Sequence, residues 1–320
     1  GTDDGLVHLT TDGGSTWTDV TPAELRPWDK VSQIDAGHFD LQTAYLAINA
    51  IRRDDMRPHI YRTHDGGGTW TRIVEGLHAM GPVNVVREDP QQPGLLFAGT
   101  EFGLFFTIDG GEKWIKLSGG APVIPFRDLE IQRREDDLVG ATFGRSFYIL
   151  DDYSFLRSVS EEALKQNEFI VFPIKRALHY VPDRGLGSAK GTQGDGFFSA
   201  PNPPFGAVFT IYRRDAFQSK KSTRKDDEQA IKKQGGDVPV PSFEELEAEE
   251  KEGIPELFVT IRDKRGNLMR RLPGPSAPGF HRVVWNLRQA SAASAGGEGA
   301  LVSPGTYSLV LERIVNGEFE

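Results

Sequence analysis

Short apolar runs alternate with glycine- and aspartate-rich turns along the first half of the chain. The runs at 6–9, 104–106 and 147–150 each follow a glycine closely and are followed by polar residues. Apolar runs this short, bounded by Gly and Asp, are typical of β-strands that pair as hairpins. The pattern therefore predicts an all-β first half. Further strands are predicted at 31–36, 43–49, 83–86, 95–98, 129–132 and 137–141.

One turn pattern recurs three times in nearly the same form. It reads Thr-Thr-Asp-Gly-Gly-Ser-Thr-Trp at 10–17, Thr-His-Asp-Gly-Gly-Gly-Thr-Trp at 63–70 and Thr-Ile-Asp-Gly-Gly-Glu-Lys-Trp at 107–114. We call these segments the aspartate turns; a degenerate fourth copy ends at Asp151–Asp152. The three aspartates are spaced by 53 and 44 residues. Four-stranded propeller blades repeat at about 40–50 residues, so the spacing predicts a β-propeller.

The residue types of the aspartate turns have a structural explanation. Glycine after the aspartate permits a positive φ, and the carboxylate can accept hydrogen bonds from its own turn. The tryptophan supplies a large apolar ring with one donor. A catalytic role for the aspartates is the alternative. We predict structural roles for the aspartates and tryptophans of the repeat: Asp12, Trp17, Asp65, Trp70, Asp109 and Trp114.

The aspartate turns closely resemble the Asp-box, also called the bacterial neuraminidase repeat, Ser/Thr-x-Asp-x-Gly-x-Thr-Trp. In that family the box is a structural hairpin on the outer part of each propeller blade. Only three to four blades fit before Leu156, whereas a closed ring typically has about four to eight. Residues 1–157 are therefore expected to be the C-terminal part of a larger propeller, completed by upstream blades of the same protein.

The second half of the chain follows a different pattern. Residues 158–206 are predicted to be a linker that includes a short helix at 159–166, a strand at 169–173 and a glycine-rich loop at 185–196. Short strands separated by Pro/Gly turns then predict a β-sandwich over 207–320. A charged insert at about 218–254 starts basic and ends acidic, which predicts two helical arms that pair through opposite charge. The insert is either a docking arm or a solvated protrusion.

Three motifs of the second half resemble the Ig-like module found at the C-terminus of many secreted bacterial proteins. They are Asp-x-x-Gly-Asn at 263–267, Pro-Gly-Phe-His-x-Val-x-Trp-Asn-Leu at 278–287 and Pro-Gly-Thr-Tyr at 304–307. The predicted fold class is thus all-β: a partial β-propeller of three to four Asp-box blades, followed by an Ig-like β-sandwich with a charged helical insert.

Composition excludes several classes of function. The net charge of −9 argues against nucleic-acid binding, and no apolar run reaches the length of a membrane span. The chain has no cysteine, and its seven histidines show no metal-ligand spacing. No catalytic, cofactor-binding or metal-binding residue is predicted. Adjacent acids could still supply the two carboxylates of a glycosidase: Asp3–Asp4, Asp54–Asp55, Asp136–Asp137 and Asp151–Asp152.

The segment from Gly140 to Asp152 resembles the last-blade signature of large secreted bacterial proteins with sortilin-like propellers, often labelled glycosyl hydrolases. The resemblance implies a secreted or periplasmic protein. It also places Arg145 on a strand near the propeller centre, as a candidate ligand contact or a pairing partner for Asp151.

The leading hypothesis is a non-catalytic region that binds a carbohydrate or protein ligand or acts as a scaffold. One alternative is a glycoside hydrolase whose active site is completed by upstream blades. Another is sortilin-like binding of proteins or peptides.

Overall fold

The computed structural model describes residues 1–180, 202–217, 219–252, 256–291, 297–315 and 318–319. The chain divides into two compact units, Gly1–Ser160 and Glu161–Glu320. Each unit is described by itself below.

The first unit is a series of antiparallel sheets in which each strand pairs with the next along the chain. Such meanders are the blades of a propeller, so the predicted propeller blades are confirmed. The first blade contributes two strands, the second and third four each, and the fourth three. The strands are β1 (His8–Leu9), β2 (Thr18–Asp19), β3 (Lys30–Ala36), β4 (Ala44–Asn49), β5 (His59–Thr63), β6 (Thr71–Arg72), β7 (Val83–Glu88), β8 (Leu96–Thr100), β9 (Gly103–Thr107), β10 (Ile115–Lys116), β11 (Phe126–Gln132), β12 (Asp137–Thr142) and β13 (Phe147–Leu150). Short 3-10 helices span Ile51–Arg53 and Ser154–Ser158.

Neighbouring blades pack face to face through apolar side chains. Because strand residues alternate between faces, Leu96 and Ala98 of β8 join the core shared with the second blade. Phe97, between them, joins the core shared with the fourth blade. All three side chains are fully buried. A strand covered on both faces needs this continuous apolar run, which explains the sequence of β8.

The second unit contains two larger sheets that pack around one core. The strands of one sheet follow the order β14 (Phe169–Val171), β15 (Ala207–Arg213), β18 (Gly279–Trp285); those of the other follow β17 (Leu268–Pro273), β16 (Glu256–Arg262), β21 (Ser308–Val315), β22 (Glu318–Phe319). A separate pair joins β19 (Arg288–Ala290) to β20 (Glu298–Leu301). Phe209, Ile261 and Trp285 are buried in the core between the sheets. This is a β-sandwich, as predicted.

The predicted linker at 158–206 needs correction in its first part. It contains helix α1 (Glu161–Gln166) and strand β14, which pairs with β15 and so belongs to the sandwich. The continuous apolar run at 169–172 predicts this strand, but it does not show that the strand pairs within the sandwich. The glycine-rich loop predicted at 185–196 lies outside the described residues.

The charged insert forms two helices, α2 (Lys220–Lys233) and α3 (Phe243–Glu250). The Arg224 guanidinium donates to the Glu249 carboxylate at 2.5 and 3.0 Å, which joins the basic arm to the acidic one. Ser242 and Glu245 form a capping box at the start of α3, and this box fixes where the helix begins. The described part of the insert therefore pairs through opposite charge, as the sequence predicted.

Candidate functional site

Each aspartate turn joins the last two strands of its blade and uses its carboxylate internally. Asp12 Oδ1 accepts the backbone N–H of Thr16 at 2.9 Å, and Oδ2 accepts the Thr16 hydroxyl at 2.7 Å. Asp65 makes the same two bonds to Thr69, at 2.8 and 2.7 Å. Asp109 keeps the backbone bond, from Lys113 at 3.1 Å. Both oxygens of Asp12 and Asp65 are thus engaged within the turn.

The turn threonine completes the hydrogen bonding. The Thr63 hydroxyl donates to Asp65 Oδ1 at 2.8 Å and accepts the N–H of Gly67 at 2.9 Å. Gly67 has φ +89°, and a Cβ there would lie 2.7 Å from the Cβ of Val20 in the preceding blade. Glycine at this position is therefore required by both backbone conformation and close approach.

The three tryptophans differ in how they meet the preceding blade. The Trp70 indole donates to the carbonyl of Val20 at 2.7 Å, and the Trp114 indole donates to that of Ile73 at 2.9 Å. Both acceptors directly follow the last strand of the preceding blade. Trp17 instead donates to Gly14 within its own turn and is 61% exposed. Trp70 and Trp114 therefore tie consecutive blades together.

We expect Asp12 and Asp65 to remain ionised in strong acid. Hydrogen bonds from the amide and hydroxyl of Thr16 or Thr69 favour the carboxylate and lower its pKa from 3.8 to about 2. Since the folded pKa lies below the unfolded value, the stability from these bonds is present above about pH 4 and is lost as the pH falls through 2. Carbon-13 NMR of the side-chain carboxyls should show both midpoints near pH 2.

The matched variant is Thr16→Val, which removes the hydroxyl donor and keeps the backbone donor. Its Asp12 midpoint should move upward while that of Asp65 stays fixed. An unchanged Asp12 midpoint would show that the hydroxyl has no influence on the carboxylate.

The connections from the second to the third strand of a blade, and those from one blade to the next, lie at the opposite edge from the aspartate turns, because successive connections in an antiparallel meander alternate between its two ends. We call this the loop edge. It consists of the segments 20–29, 50–58, 73–82, 101–102, 117–125 and 143–146.

A polar cluster lies at the loop-edge ends of strands β7 and β11, the first strands of their blades. Arg127 donates to Glu101 Oε1 at 2.6 Å, and the Asn84 amide donates to the same oxygen at 3.2 Å. The Arg127 guanidinium stands 5.2 Å from the centroid of the Phe143 ring, which is exposed. An exposed aromatic ring over a paired guanidinium can bind a sugar face or a peptide side chain.

Arg145 lies in the turn between β12 and β13, and its predicted position on a strand is wrong. Its backbone N–H donates to the Thr142 hydroxyl at 3.2 Å, and that hydroxyl donates to Ser146 at 2.7 Å. This local bonding, together with positive φ at Gly144 and Ser146, turns the chain before β13 begins. Arg145 is exposed at the loop edge. Its role as a ligand contact stays a prediction.

Several of the adjacent acids proposed as glycosidase carboxylates are held by arginines. Asp55 accepts a bidentate pair from Arg57 at 2.9 and 2.7 Å, and this pairing holds the pKa of Asp55 well below its usual range. Asp136 pairs with Arg157 at 2.9 Å, and Asp3 with Arg52 at 3.3 Å. A glycosidase acid needs a raised pKa, and the pairing of Asp55 acts in the other direction.

Asp35 is an acid that the sequence analysis missed. Burial raises its pKa, although bonds from the Glu88 backbone at 2.8 Å and from Arg87 at 3.1 Å oppose the rise. It lies towards the end of β3 that is remote from the loop edge. Nothing in its local sequence signals this environment, because Arg87 and Glu88 belong to the next blade.

The described residues, 1–180 and the later ranges given above, contain neither a metal cluster nor a membrane-spanning helix. No group of three or more His, Cys, Asp or Glu side chains there could hold a metal ion. No helix in that part of the chain is long and apolar enough to cross a bilayer.

Comparisons with known proteins give only distant structural likenesses. No protein-family model matches the chain, and no curated protein matches it in sequence. Among solved structures it is similar to YCF48 bound to D1 peptide, with a TM-score of 0.37 and 18% identity over 48% of this chain and 46% of that one. It is similar to the GH74 xyloglucanase from Xanthomonas campestris, with a TM-score of 0.37 and 17% identity over 46% of this chain and 24% of that one. It is also similar to an ancestral GH74 enzyme, with a TM-score of 0.35 and 12% identity over 67% of this chain and 30% of that one. The matched region is less than half of each of these structures.

Proposed function

We propose that this chain is a non-catalytic ligand-binding or scaffolding region of a secreted Asp-box propeller protein. The ligand is a carbohydrate or a protein segment, and it contacts the loop edge of the blades.

The observation that carries this proposal is the hydrogen bonding of the carboxylates in the aspartate turns. Asp12 and Asp65 each accept bonds on both oxygens from the threonine four residues later. A carboxylate that is bonded in this way and has a lowered pKa braces a turn, and it is poorly suited to donate a proton. These acids therefore support the blade and leave recognition to the loop edge.

The loop edge offers groups suited to recognition. Phe143 is 69% exposed and Arg145 is exposed beside it in the same turn. Arg127 is held under the Phe143 ring by Glu101. Aromatic and arginine side chains contribute strongly to binding surfaces because they combine apolar area with directed donors. Connecting loops on a rigid sheet scaffold are common sites of binding.

The main rival is a glycoside hydrolase completed by further blades. Asp35 favours it, because its pKa is raised by burial, as the acid of a glycosidase requires. Both Asp35 oxygens, however, already accept bonds from Arg87 and Glu88. We therefore rank binding above hydrolysis.

The test incubates the full chain with defined oligosaccharides and with a peptide library, and measures both retention and products by mass spectrometry. We expect retention of one ligand class without cleavage, weakened about ten-fold or more by Phe143→Ala. Selective retention of peptides would favour the sortilin-like form of the proposal.

Time-dependent product formation that Asp35→Asn abolishes would instead establish the hydrolase. Asp19→Asn is the matched control, because Asp19 is an exposed acid whose side chain, within the described ranges, bonds only to Thr21. Its replacement should change neither retention nor cleavage.

A further inference from the structure

A polar cavity of about 450 Å³ lies at the loop edge between the first two blades. Its walls come from segments 20–29 and 50–58 and from the strands β5 and β6. Four arginines line it, and we call it the arginine pocket: Arg26, Arg53, Arg57 and Arg72. Cavities of roughly 300–1,000 Å³ are typical of small-molecule sites.

Two of the four arginines are neutralised by carboxylates of the same pocket. Arg53 donates to Asp29 at 2.6 Å, and the Asp29 side chain is 10% exposed. Arg57 makes the bidentate pair with Asp55. These pairs are fixed by geometry and contribute no net charge to the cavity.

The other two arginines have no carboxylate partner among the described residues. Within the described part of the chain, Arg26 forms no side-chain hydrogen bond or ion pair, and Arg72 donates only to the Pro58 carbonyl, at 2.8 Å. The third carboxylate of the pocket, Glu24, accepts from the Tyr61 hydroxyl at 3.2 Å. Four guanidinium groups thus face three carboxylates.

His59 adds no positive charge at neutral pH. Burial lowers its pKa, and the nearby Arg72 lowers it further, while Asp55 at 3.2 Å partly opposes this. The lining therefore keeps an excess of one positive charge. A monoanion balances that excess, whereas a dianion would leave uncompensated negative charge beside Glu24 and Asp29.

We propose that the arginine pocket binds a small polar monocarboxylate, whose carboxylate is held by Arg26 and Arg72. The planar guanidinium group matches a carboxylate in bidentate geometry. Glu24 and Asp55 can accept bonds from hydroxyl groups on the rest of the ligand. The proposal rests on the proposed binding function and names the chemistry of one ligand and its site.

The experiment uses the full chain and isothermal titration calorimetry with three probes: D-glucuronate, its neutral counterpart D-glucose, and inorganic phosphate. We expect glucuronate to bind at least ten-fold more tightly than glucose or phosphate. Arg26→Gln should weaken glucuronate ten-fold or more and leave glucose unchanged. The Arg26 side chain is exposed and bonded to no described group, and its backbone N–H, which donates to Asp29, is kept by the replacement, so folding should not be disturbed.

The matched control is Arg52→Gln, which removes the same charge from an arginine that pairs with Asp3 and does not line the pocket. It should leave glucuronate binding unchanged. The proposal is wrong if glucuronate does not bind, if phosphate binds as tightly, or if the two variants have equal effects. Oligosaccharide cleavage would refute the proposed function without changing this titration, so the two failures are distinguishable.

Discussion

Replacing Trp114 with alanine should lower the free energy of unfolding by about 3–5 kcal/mol. The Trp114 side chain is 2% exposed and packs in the core between the second and third blades, against Ile73 and Phe105. The replacement leaves a cavity there. It also removes the donor to the buried Ile73 carbonyl, at 2.9 Å. Urea denaturation of the full chain, followed by far-ultraviolet circular dichroism, measures the loss.

The chain supplies its own control for this prediction. Trp17 occupies the same position of the repeat but is 61% exposed, so Trp17→Ala should cost less than about 1 kcal/mol. Equal losses in the two variants would show that the tryptophan stabilises its own turn and not the contact between blades.

Replacing Arg157 with methionine should lower the free energy of unfolding by about 3–5 kcal/mol, because it leaves the buried carboxylate of Asp89 without its positive partner. The Asp89 side chain is 0% exposed and accepts from Arg157 Nη2 at 2.8 Å and from the Tyr153 hydroxyl at 2.7 Å. Burial alone would raise the pKa of Asp89, but the bonds from Arg157 and Tyr153 outweigh it and lower that pKa. Arg157 also pairs with Asp136 of the fourth blade, so its guanidinium joins that blade to Asp89 of the third.

A second replacement separates the lost charge from the lost packing. Adding Asp89→Asn to Arg157→Met removes the unpaired charge. The asparagine oxygen in place of Oδ1 keeps the acceptor for the Gln91 backbone, and the amide nitrogen in place of Oδ2 can donate to the Tyr153 oxygen. The loss of unfolding free energy in the double variant should therefore be smaller than the sum of the losses in the two single variants. Arg134→Met, at an arginine whose side chain is 81% exposed, should change stability by less than about 0.5 kcal/mol. Strict additivity in the double variant would contradict the charge explanation.

The strands of the first unit could be predicted because short segments of sequence determine where each strand begins and ends. The predicted strands at 83–86 and 137–141 lie within β7 and β12, and differ only at their ends. Short apolar runs between turn residues carry this information without any tertiary contact. The strand β14 was predicted for the same reason, but its membership of the sandwich was not, because that depends on its pairing with β15.

The candidate sites were much less accessible to sequence reasoning. Trp17 and Trp114 occupy equivalent positions of the repeat, yet only the structure shows which one meets a neighbouring blade. Arg26 lies in the connection that enters the second blade and Arg72 in the last strand of that blade, and no local motif connects them. Asp89 and Arg157 are likewise brought together only by the packing of the fourth blade on the third. Charge compensation across blades is a property of the folded arrangement.

The separation of the two blade edges makes this protein suitable as a carrier for inserted sequences. The aspartate turns are closed by their own bonds, while the connections at the other edge differ widely in length, from 101–102 to 20–29. Gly119 and Gly120 lie in such a connection, and a Cβ at either position would meet nothing within 4 Å. An epitope or a small domain inserted between them should be displayed without loss of the parent fold, since exposed loop tips tolerate insertion best.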